Sequence, residues 1–329
     1  MVFENRFALW ALSVVFVASG AAYSQSTSGG PGPASGGVGT LAQRIGHFDR
    51  TKTRQLVGAH DGAGTMQVER LLGNQALSTS FQFLDEAIID PRGGLGEHFH
   101  DNCEEMFVAL EGPNAQFTID GHTSELLTPA GAPDRMGSAH AFYNPTSQPI
   151  LWLDFGVGNY GKAHDGFNLG DSRAGAPLEK VPQFVNWHID PKLLKPVDHM
   201  AGGTGTVMYR RLLGPAQFYT GWSYLDEISI PSGATIGPIN EPGMSEVYFV
   251  LSGAGTVTVN GETASIKQYD AIPVDVGQTH SFAQSGSEPL HLLATGIAKD
   301  RASKRAFIDR PENAGGGASR PAFPPSGRQ

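Results

Sequence analysis

The stretch that decides the fold is residues 105–112, EMFVALEG, which recurs 141 positions later as residues 246–253, EVYFVLSG. Residues 84–86, LDE, likewise recur as residues 225–227. The register stays at 140 or 141 residues along the rest of both copies, which chance similarity would not maintain. The chain is therefore predicted to contain the same structural unit twice.

Each copy consists of short apolar segments of alternating polarity, and no amphipathic helix of useful length interrupts them. In the first copy these segments include residues 81–84, 105–110 and 115–119, with Gly, Pro and Asp-Gly turns between them. Alternation with a period of two is typical of half-buried strands, and Asp-Gly is a strong hairpin signal. We therefore predict an all-β chain of two tandem antiparallel barrels, or jelly rolls.

The predicted barrels span residues 41–161 and 181–299, with a connector at 162–180. Residues 25–40 are rich in Gly, Ser and Pro, which is typical of a flexible leader. Residues 300–329 are predicted to form a C-terminal tail, the end of which has the same composition.

The first 24 residues have the pattern of a secretory signal peptide. Arg6 precedes an apolar run at residues 7–17, and small residues follow near Ala22. A retained membrane anchor is the alternative, but the run is shorter than the roughly 20 apolar residues that a spanning helix needs. We expect a cleaved signal, a secreted or periplasmic protein and no remaining membrane segment.

Charge and cysteine content argue against a nucleic-acid-binding protein and exclude stabilisation by an internal disulfide. The chain has 23 Lys and Arg against 32 Asp and Glu, a net charge of −9, and its basic residues form no cluster. This pattern argues against a nucleic-acid-binding surface. Cys103 is the only cysteine, so no internal disulfide can form and stability must come from core packing.

Four residues of the first copy have the pattern of a metal site: His98, His100, Glu105 and His140. His98 and His100 alternate, so on a strand both imidazoles point to one face, here the barrel interior. Three imidazoles and one carboxylate suit Fe, Mn, Ni, Cu or Zn rather than Ca or Mg. Because such a buried set is costly without a cation, we predict one divalent transition metal.

At these residues the chain resembles the cupin superfamily. The spacing that carries the resemblance is His98-x-His100-x4-Glu105-x6-Gly112 and, later, Gly137-x2-His140-x3-Asn144. One departure is Arg135, which stands where the family usually has a proline, and it affects a turn rather than a ligand. The resemblance implies a two-domain (bicupin) protein with double-stranded β-helix barrels, a bound metal and a small-molecule substrate. It leaves association into a homo-oligomer open.

The second copy has lost the full ligand set. Ile239 and Glu241 stand where the first copy has its two alternating histidines, while Glu246 and His280 hold the other two positions. An aliphatic residue cannot bind a metal, so the standard set is excluded. A facial site of Glu241, Glu246 and His280 stays open as an alternative. We otherwise predict a structural or gating barrel.

Several residues near the predicted ligands carry groups that could also act at the site. Glu104 alternates with the ligand glutamate and is predicted to face solvent. Cys103 is interpreted as a partly buried free thiol in a loop. His60 and His199 occupy equivalent places in the two copies, which indicates a role in the fold rather than at the metal. No general acid or base is identified, and Glu104, His60 and Tyr143 are the first residues to inspect.

One intact site beside one degraded site favours a metal-dependent oxidoreductase of the dioxygenase type, acting on a small organic substrate. Oxalate decarboxylases in the family typically carry full ligand sets in both barrels, which this chain lacks. Two alternatives stay open. One is a lyase, isomerase or decarboxylase that uses the ion as a Lewis acid, and the other is a non-enzymatic protein that binds a metal or small ligand.

Overall fold

The structure, a computed structural model, describes residues 39–161, 164–311 and 313. The predicted signal peptide, nearly all of the predicted leader and most of the predicted tail lie outside these residues. Within the described ranges, no helix is long and apolar enough to cross a membrane.

The first half of the described chain is a succession of strands after one short helix, α1 (Leu41–Arg44), and includes a 3-10 turn at Ala59–Asp61. The strands are β1 (Gly46–His47), β2 (Arg54–Val57), β3 (Thr65–Gly73), β4 (Phe81–Ile89), β5 (Gly94–Phe99), β6 (Cys103–Glu111), β7 (Ala115–Ile119), β8 (His122–Leu126), β9 (Ala130–Asp134), β10 (His140–Tyr143), β11 (Ile150–Gly158) and β12 (Phe167–Asn168).

The second half repeats this succession and ends in a helix, α2 (Arg301–Ile308), with 3-10 turns at Pro191–Leu193, Met200–Gly202 and Pro215–Gln217. Its strands are β13 (Trp187–His188), β14 (Lys195–Asp198), β15 (Thr206–Leu213), β16 (Trp222–Ile230), β17 (Thr235–Asn240), β18 (Met244–Ser252), β19 (Ala254–Val259), β20 (Glu262–Lys267), β21 (Asp270–Val274), β22 (Thr279–Gln284) and β23 (Leu290–Ala298).

Each barrel is made of one large and one small antiparallel sheet. In the N-terminal barrel the strand orders are β13-β9-β6-β11-β4-β3-β2 and β12-β5-β10-β7-β8. In the C-terminal barrel they are β1-β21-β18-β23-β16-β15-β14 and β17-β22-β19-β20. The prediction of an all-β chain with two tandem jelly-roll barrels is confirmed.

The barrels exchange short strands at their boundaries. Strand β1 pairs with β21 of the C-terminal barrel, and β13 pairs with β9 of the N-terminal barrel. Leu41 is also buried in the C-terminal core, and its backbone N–H donates to Glu262 Oε1 at 2.7 Å. The structure therefore differs from the predicted boundaries, because residues 41–47 lie on the C-terminal barrel and residues 187–188 on the N-terminal one.

The two large sheets pack against each other through a shared core. On β6, Phe107 belongs to the core inside the N-terminal barrel, whereas Met106 and Val108 belong to the core shared by both barrels. Phe155 and Trp222 meet in that shared core, with ring centroids 6.3 Å apart. Because both faces of β6 are covered, every residue of the strand except the last is buried.

The prediction that Glu104 faces solvent is wrong. Glu104 is only 1% exposed, and its carboxylate accepts hydrogen bonds from the backbone N–H groups of Tyr219 and Thr220, at 2.7 and 2.9 Å. The Thr220 hydroxyl adds a third, at 2.6 Å. Glu104 does point away from Glu105, but the outer face of its sheet is covered by the C-terminal barrel rather than by water.

Glu104 is therefore expected to stabilise the contact between the barrels. Glu104→Ala should lower the free energy of unfolding by about 2–3 kcal/mol, because two backbone N–H groups lose a charged acceptor. Urea denaturation of the purified variant measures this loss. Glu125→Ala is the control, since Glu125 is exposed on β8 and should change stability by less than about 0.5 kcal/mol. Equal losses in the two variants would contradict the assignment.

Candidate metal centre

The predicted ligands come together from three strands of the N-terminal barrel. His98 lies on β5, His100 directly after it, Glu105 on β6 and His140 on β10. Strand β10 pairs with β5 so that His140 lies opposite His98. All four side chains are at most 3% exposed, and their ligand atoms lie within 4.8 Å of one another.

The imidazole rings are oriented by backbone carbonyls. His98 and His140 each donate from Nδ1 to the carbonyl two residues earlier, at 2.8 and 3.1 Å. His100 donates from Nδ1 to the carbonyl of Asp165. A hydrogen bond at Nδ1 fixes the tautomer and leaves the lone pair on Nε2, as is usual for a histidine that binds a metal through Nε2.

The three Nε2 atoms surround one oxygen of Glu105. They lie 4.0, 3.4 and 3.4 Å from Glu105 Oε2 in His98, His100 and His140, respectively. These separations exceed ordinary hydrogen bonds and suit ligand atoms that share one ion at about 2.0–2.2 Å each. All three Nε2 atoms are buried and have no hydrogen-bond partner within the described part of the chain. The residues present therefore fit a divalent transition metal.

The charge states also suit a metal. Burial opposes ionisation of Glu105, but the adjacent His100 and the hydrogen bond from His164 hold the pKa of Glu105 well below its usual range. Burial lowers the pKa of His98 and of His140, which keeps both rings neutral. At His100 burial is outweighed by the charge of Glu105, which raises the pKa. An ionised carboxylate thus faces imidazoles, at least two of them neutral.

Sequence reasoning missed His164. Its Nε2 lies 3.0 Å from Glu105 Oε1, and its ring centroid is 4.7 Å from that of His100. His164 also joins Cys103, His100 and Glu105 in a second group of ligand atoms within 4.8 Å of one another. No motif could have identified it, because it follows the last strand of the repeat and has no fixed spacing from the other ligands.

Cys103 and His60 are both close to the ligands. Cys103 is the first residue of β6 and is fully buried, rather than partly buried in a loop. The His60 ring stacks on His98 at 3.7 Å between centroids, and its Nδ1 contacts Asn168 Oδ1 at 2.8 Å. Burial lowers the pKa of His60 to about 4. His60 belongs to neither group of ligand atoms but packs directly against a ligand.

The C-terminal barrel confirms the alignment of the copies and shows what replaced the ligands. Ile239 lies opposite His280, in the same register as the facing histidine pair of the N-terminal barrel. Glu241 is bound by Arg310, whose two terminal nitrogens donate to its two oxygens at 2.9 and 2.7 Å. Its carboxylate is therefore engaged in a bidentate ion pair at the position where the N-terminal barrel has a histidine ligand.

Two tyrosines occupy the centre of the C-terminal barrel. Glu246 accepts hydrogen bonds from the hydroxyls of Tyr224 and Tyr248, and the latter hydroxyl also lies 2.7 Å from His280 Nε2. Burial raises the pKa of Glu246 to about 8 and lowers that of His280 to about 4, so both are neutral at pH 7. Among the described residues, the alternative facial site of this barrel forms no group of ligand atoms.

Comparison with known proteins gives matches in sequence and in fold. Residues 227–296 match the family model described as "Cupin domain". The "Oxalate-binding protein" of Thermotoga maritima is 30% identical over 98 residues, which cover 30% of this chain and 81% of that protein.

Solved structures of two-barrel enzymes share the fold. The oxalate decarboxylase of Lactobacillus farciminis, in a formate complex, is 16% identical, with 82% of this chain and 89% of that one covered at a TM-score of 0.55. The salicylate 1,2-dioxygenase of Pseudoaminobacter salicylatoxidans, with gentisate, is also 16% identical, with 70% and 73% covered at a TM-score of 0.53. From its sequence relative, its matched domain and its two jelly-roll barrels, the chain belongs to the cupin superfamily as a two-domain member.

Proposed function

We propose that the protein is a metal-dependent oxidoreductase of the dioxygenase type, which acts on a small organic substrate in the N-terminal barrel. The observation that carries this proposal is the convergence of three unpaired Nε2 atoms on Glu105 Oε2, in one of the two barrels. A divalent transition ion held there would supply Lewis-acid or redox chemistry at the coordination positions that the four residues leave open.

The charge of the site favours an anionic substrate. One carboxylate beside a doubly charged cation leaves a net positive charge in a buried site, where electrostatic attraction is strong. Two more acids, Asp134 and Asp154, lie in the same barrel, but burial and the charge of Glu105 raise the pKa of both well above the usual range. A raised pKa favours the neutral acid, so these two residues oppose the positive charge less than two ordinary carboxylates would.

Apolar residues exclude water from the ligands. The Phe107 ring packs edge-on against His140 at 5.2 Å, and Phe83 packs against His164 at 5.5 Å. In the C-terminal barrel Tyr224 is the counterpart of Phe83, and Tyr248 is the counterpart of Phe107. The hydroxyls of both tyrosines donate hydrogen bonds to Glu246. In the N-terminal barrel these two positions carry no hydroxyl, so they leave the ligand atoms free to bind an ion.

A second candidate function is the binding of a small dicarboxylate without turnover. The identity of 30% to a protein described as oxalate-binding supports it. Oxalate would match the positive charge argued above and could chelate an ion through two oxygens. A Lewis-acid decarboxylation or another lyase reaction would use the same site. Its independence of oxygen distinguishes it from the dioxygenase reaction, and its turnover distinguishes it from the binding protein.

Metal content tests the choice of barrel. The purified protein is expected to hold about one transition-metal ion per chain, and His100→Ala should lose it, because a missing ligand sharply weakens a four-ligand site. Glu246→Gln is the matched control, since it changes the counterpart of Glu105 and should keep the ion. Elemental analysis of the three proteins gives the result. Metal retained in His100→Ala and lost in Glu246→Gln would show that the wrong barrel was chosen.

Oxygen uptake tests the reaction type. Protein loaded with Fe, Mn, Ni or Cu is expected to consume oxygen with a member of a panel of phenolic and small carboxylate compounds, including gentisate, salicylate and oxalate. Uptake should disappear in His100→Ala, which removes a ligand. Turnover that persists without oxygen would favour the Lewis-acid reaction, and saturable oxalate binding without turnover would favour the binding protein.

We further propose that the protein is exported, on the evidence of Arg6 and the apolar run at residues 7–17. Expression in a bacterial host should place the processed chain outside the cytoplasm, with a new N-terminus near residue 25. N-terminal sequencing of the fractionated protein checks this outcome. Deletion of residues 7–17 should keep the chain in the cytoplasm, and an unprocessed chain in the membrane fraction would indicate an anchor instead.

A further inference from the structure

His164 contacts the glutamate of the candidate metal centre through the carboxylate oxygen that the other histidines leave free. Its Nε2 lies 3.0 Å from Glu105 Oε1, whereas His98, His100 and His140 converge on Oε2. Because an ionised carboxylate only accepts hydrogen bonds, the imidazole nitrogen must be the donor. One oxygen of the carboxylate is thereby engaged, and the other is left facing the three unpaired Nε2 atoms.

The position of His164 is fixed by its neighbours. The carbonyl of Asp165 accepts a hydrogen bond from His100 Nδ1, and its carboxylate accepts two from Asn102, at 3.0 and 2.9 Å. The His164 ring also packs against Phe83. The His164 side chain is 19% exposed, so it lies closer to solvent than the four ligands. The same short segment thus orients one ligand ring and delivers a donor to the ligand carboxylate.

The C-terminal barrel satisfies its glutamate by a different route. Glu246 Oε1 accepts from the Tyr224 hydroxyl, and Phe83 is the counterpart of Tyr224, since each lies opposite a glycine of the last barrel strand. A phenylalanine cannot donate a hydrogen bond. In the N-terminal barrel the donor to the corresponding oxygen of Glu105 is therefore supplied by His164, from outside the repeated unit.

We propose that His164 is a positioning residue: by donating to Oε1 of Glu105 it keeps Oε2 directed at the three Nε2 atoms that would hold the metal. This role rests on the metal site of the proposed function and adds a fourth histidine to it. Removing a residue that hydrogen-bonds to a metal ligand and orients it typically lowers metal affinity by about 10- to 100-fold. The role of His164 is thus measurable without knowledge of the substrate.

Metal affinity of the full-length protein tests the proposal, with Co²⁺ as the probe. His164→Leu is expected to raise the Co²⁺ dissociation constant by about tenfold or more, because the Glu105 carboxylate loses its donor. His164→Gln keeps an N–H donor at a similar reach and should stay within about threefold of the unmodified protein. His122→Leu, which removes an exposed histidine paired with Glu179, is the control and should not change the constant. Unchanged affinity in His164→Leu would overturn the proposal.

Spectroscopy separates a positioning residue from a ligand. Electron paramagnetic resonance of the Cu²⁺-loaded protein should show the same number of coordinating imidazole nitrogens in the unmodified protein and in His164→Leu. One nitrogen fewer in the variant would make His164 a ligand. A thiolate-to-metal absorption band that disappears in Cys103→Ser would place the ion in the second ligand group, and either result overturns the proposal. No Co²⁺ or Cu²⁺ binding by the unmodified protein would instead overturn the proposed function, and this role with it.

Discussion

A buried glutamate on an interior strand of each large sheet is the constraint on which both barrels depend. Glu105 and Glu246 are each at most 3% exposed, and a buried carboxyl must be paired or neutral. The N-terminal barrel surrounds its glutamate with imidazoles that keep it ionised. The C-terminal barrel surrounds it with two tyrosines, and burial favours the neutral acid. The same residue is therefore a candidate ligand in one copy and part of an uncharged core in the other.

The face-to-face packing of the large sheets gives the site its rigidity. Strand β6 carries Glu105 towards the barrel interior and Glu104 towards the other barrel, where a loop of the C-terminal half binds it through three hydrogen bonds. A displacement of the C-terminal barrel would therefore act on the strand that holds a ligand. The C-terminal barrel, which lacks the full ligand set, thus helps to hold the strand that carries Glu105 in the N-terminal barrel.

The repeat, the barrels and the four candidate ligands could be predicted from the sequence because each depends on residue spacing within the repeated unit or between its copies. Alternation placed His98 and His100 on one face, and the constant offset identified Ile239 as the counterpart of His98. Glu104 was misjudged because alternation shows which face a residue occupies and not what covers that face. His164 could not be found, since its contact with Glu105 arises from a segment outside the repeat.

The exchange of β1 and β13 has a consequence for how the molecule can be divided. Each barrel completes a large sheet with a strand that the chain contributes from the other half. Cutting the chain in the connector would leave both halves with an unpaired sheet edge and an exposed apolar face, which are the usual starting points of aggregation. The two copies therefore no longer behave as interchangeable modules. The copy without the full ligand set therefore still completes a sheet of the copy that has it.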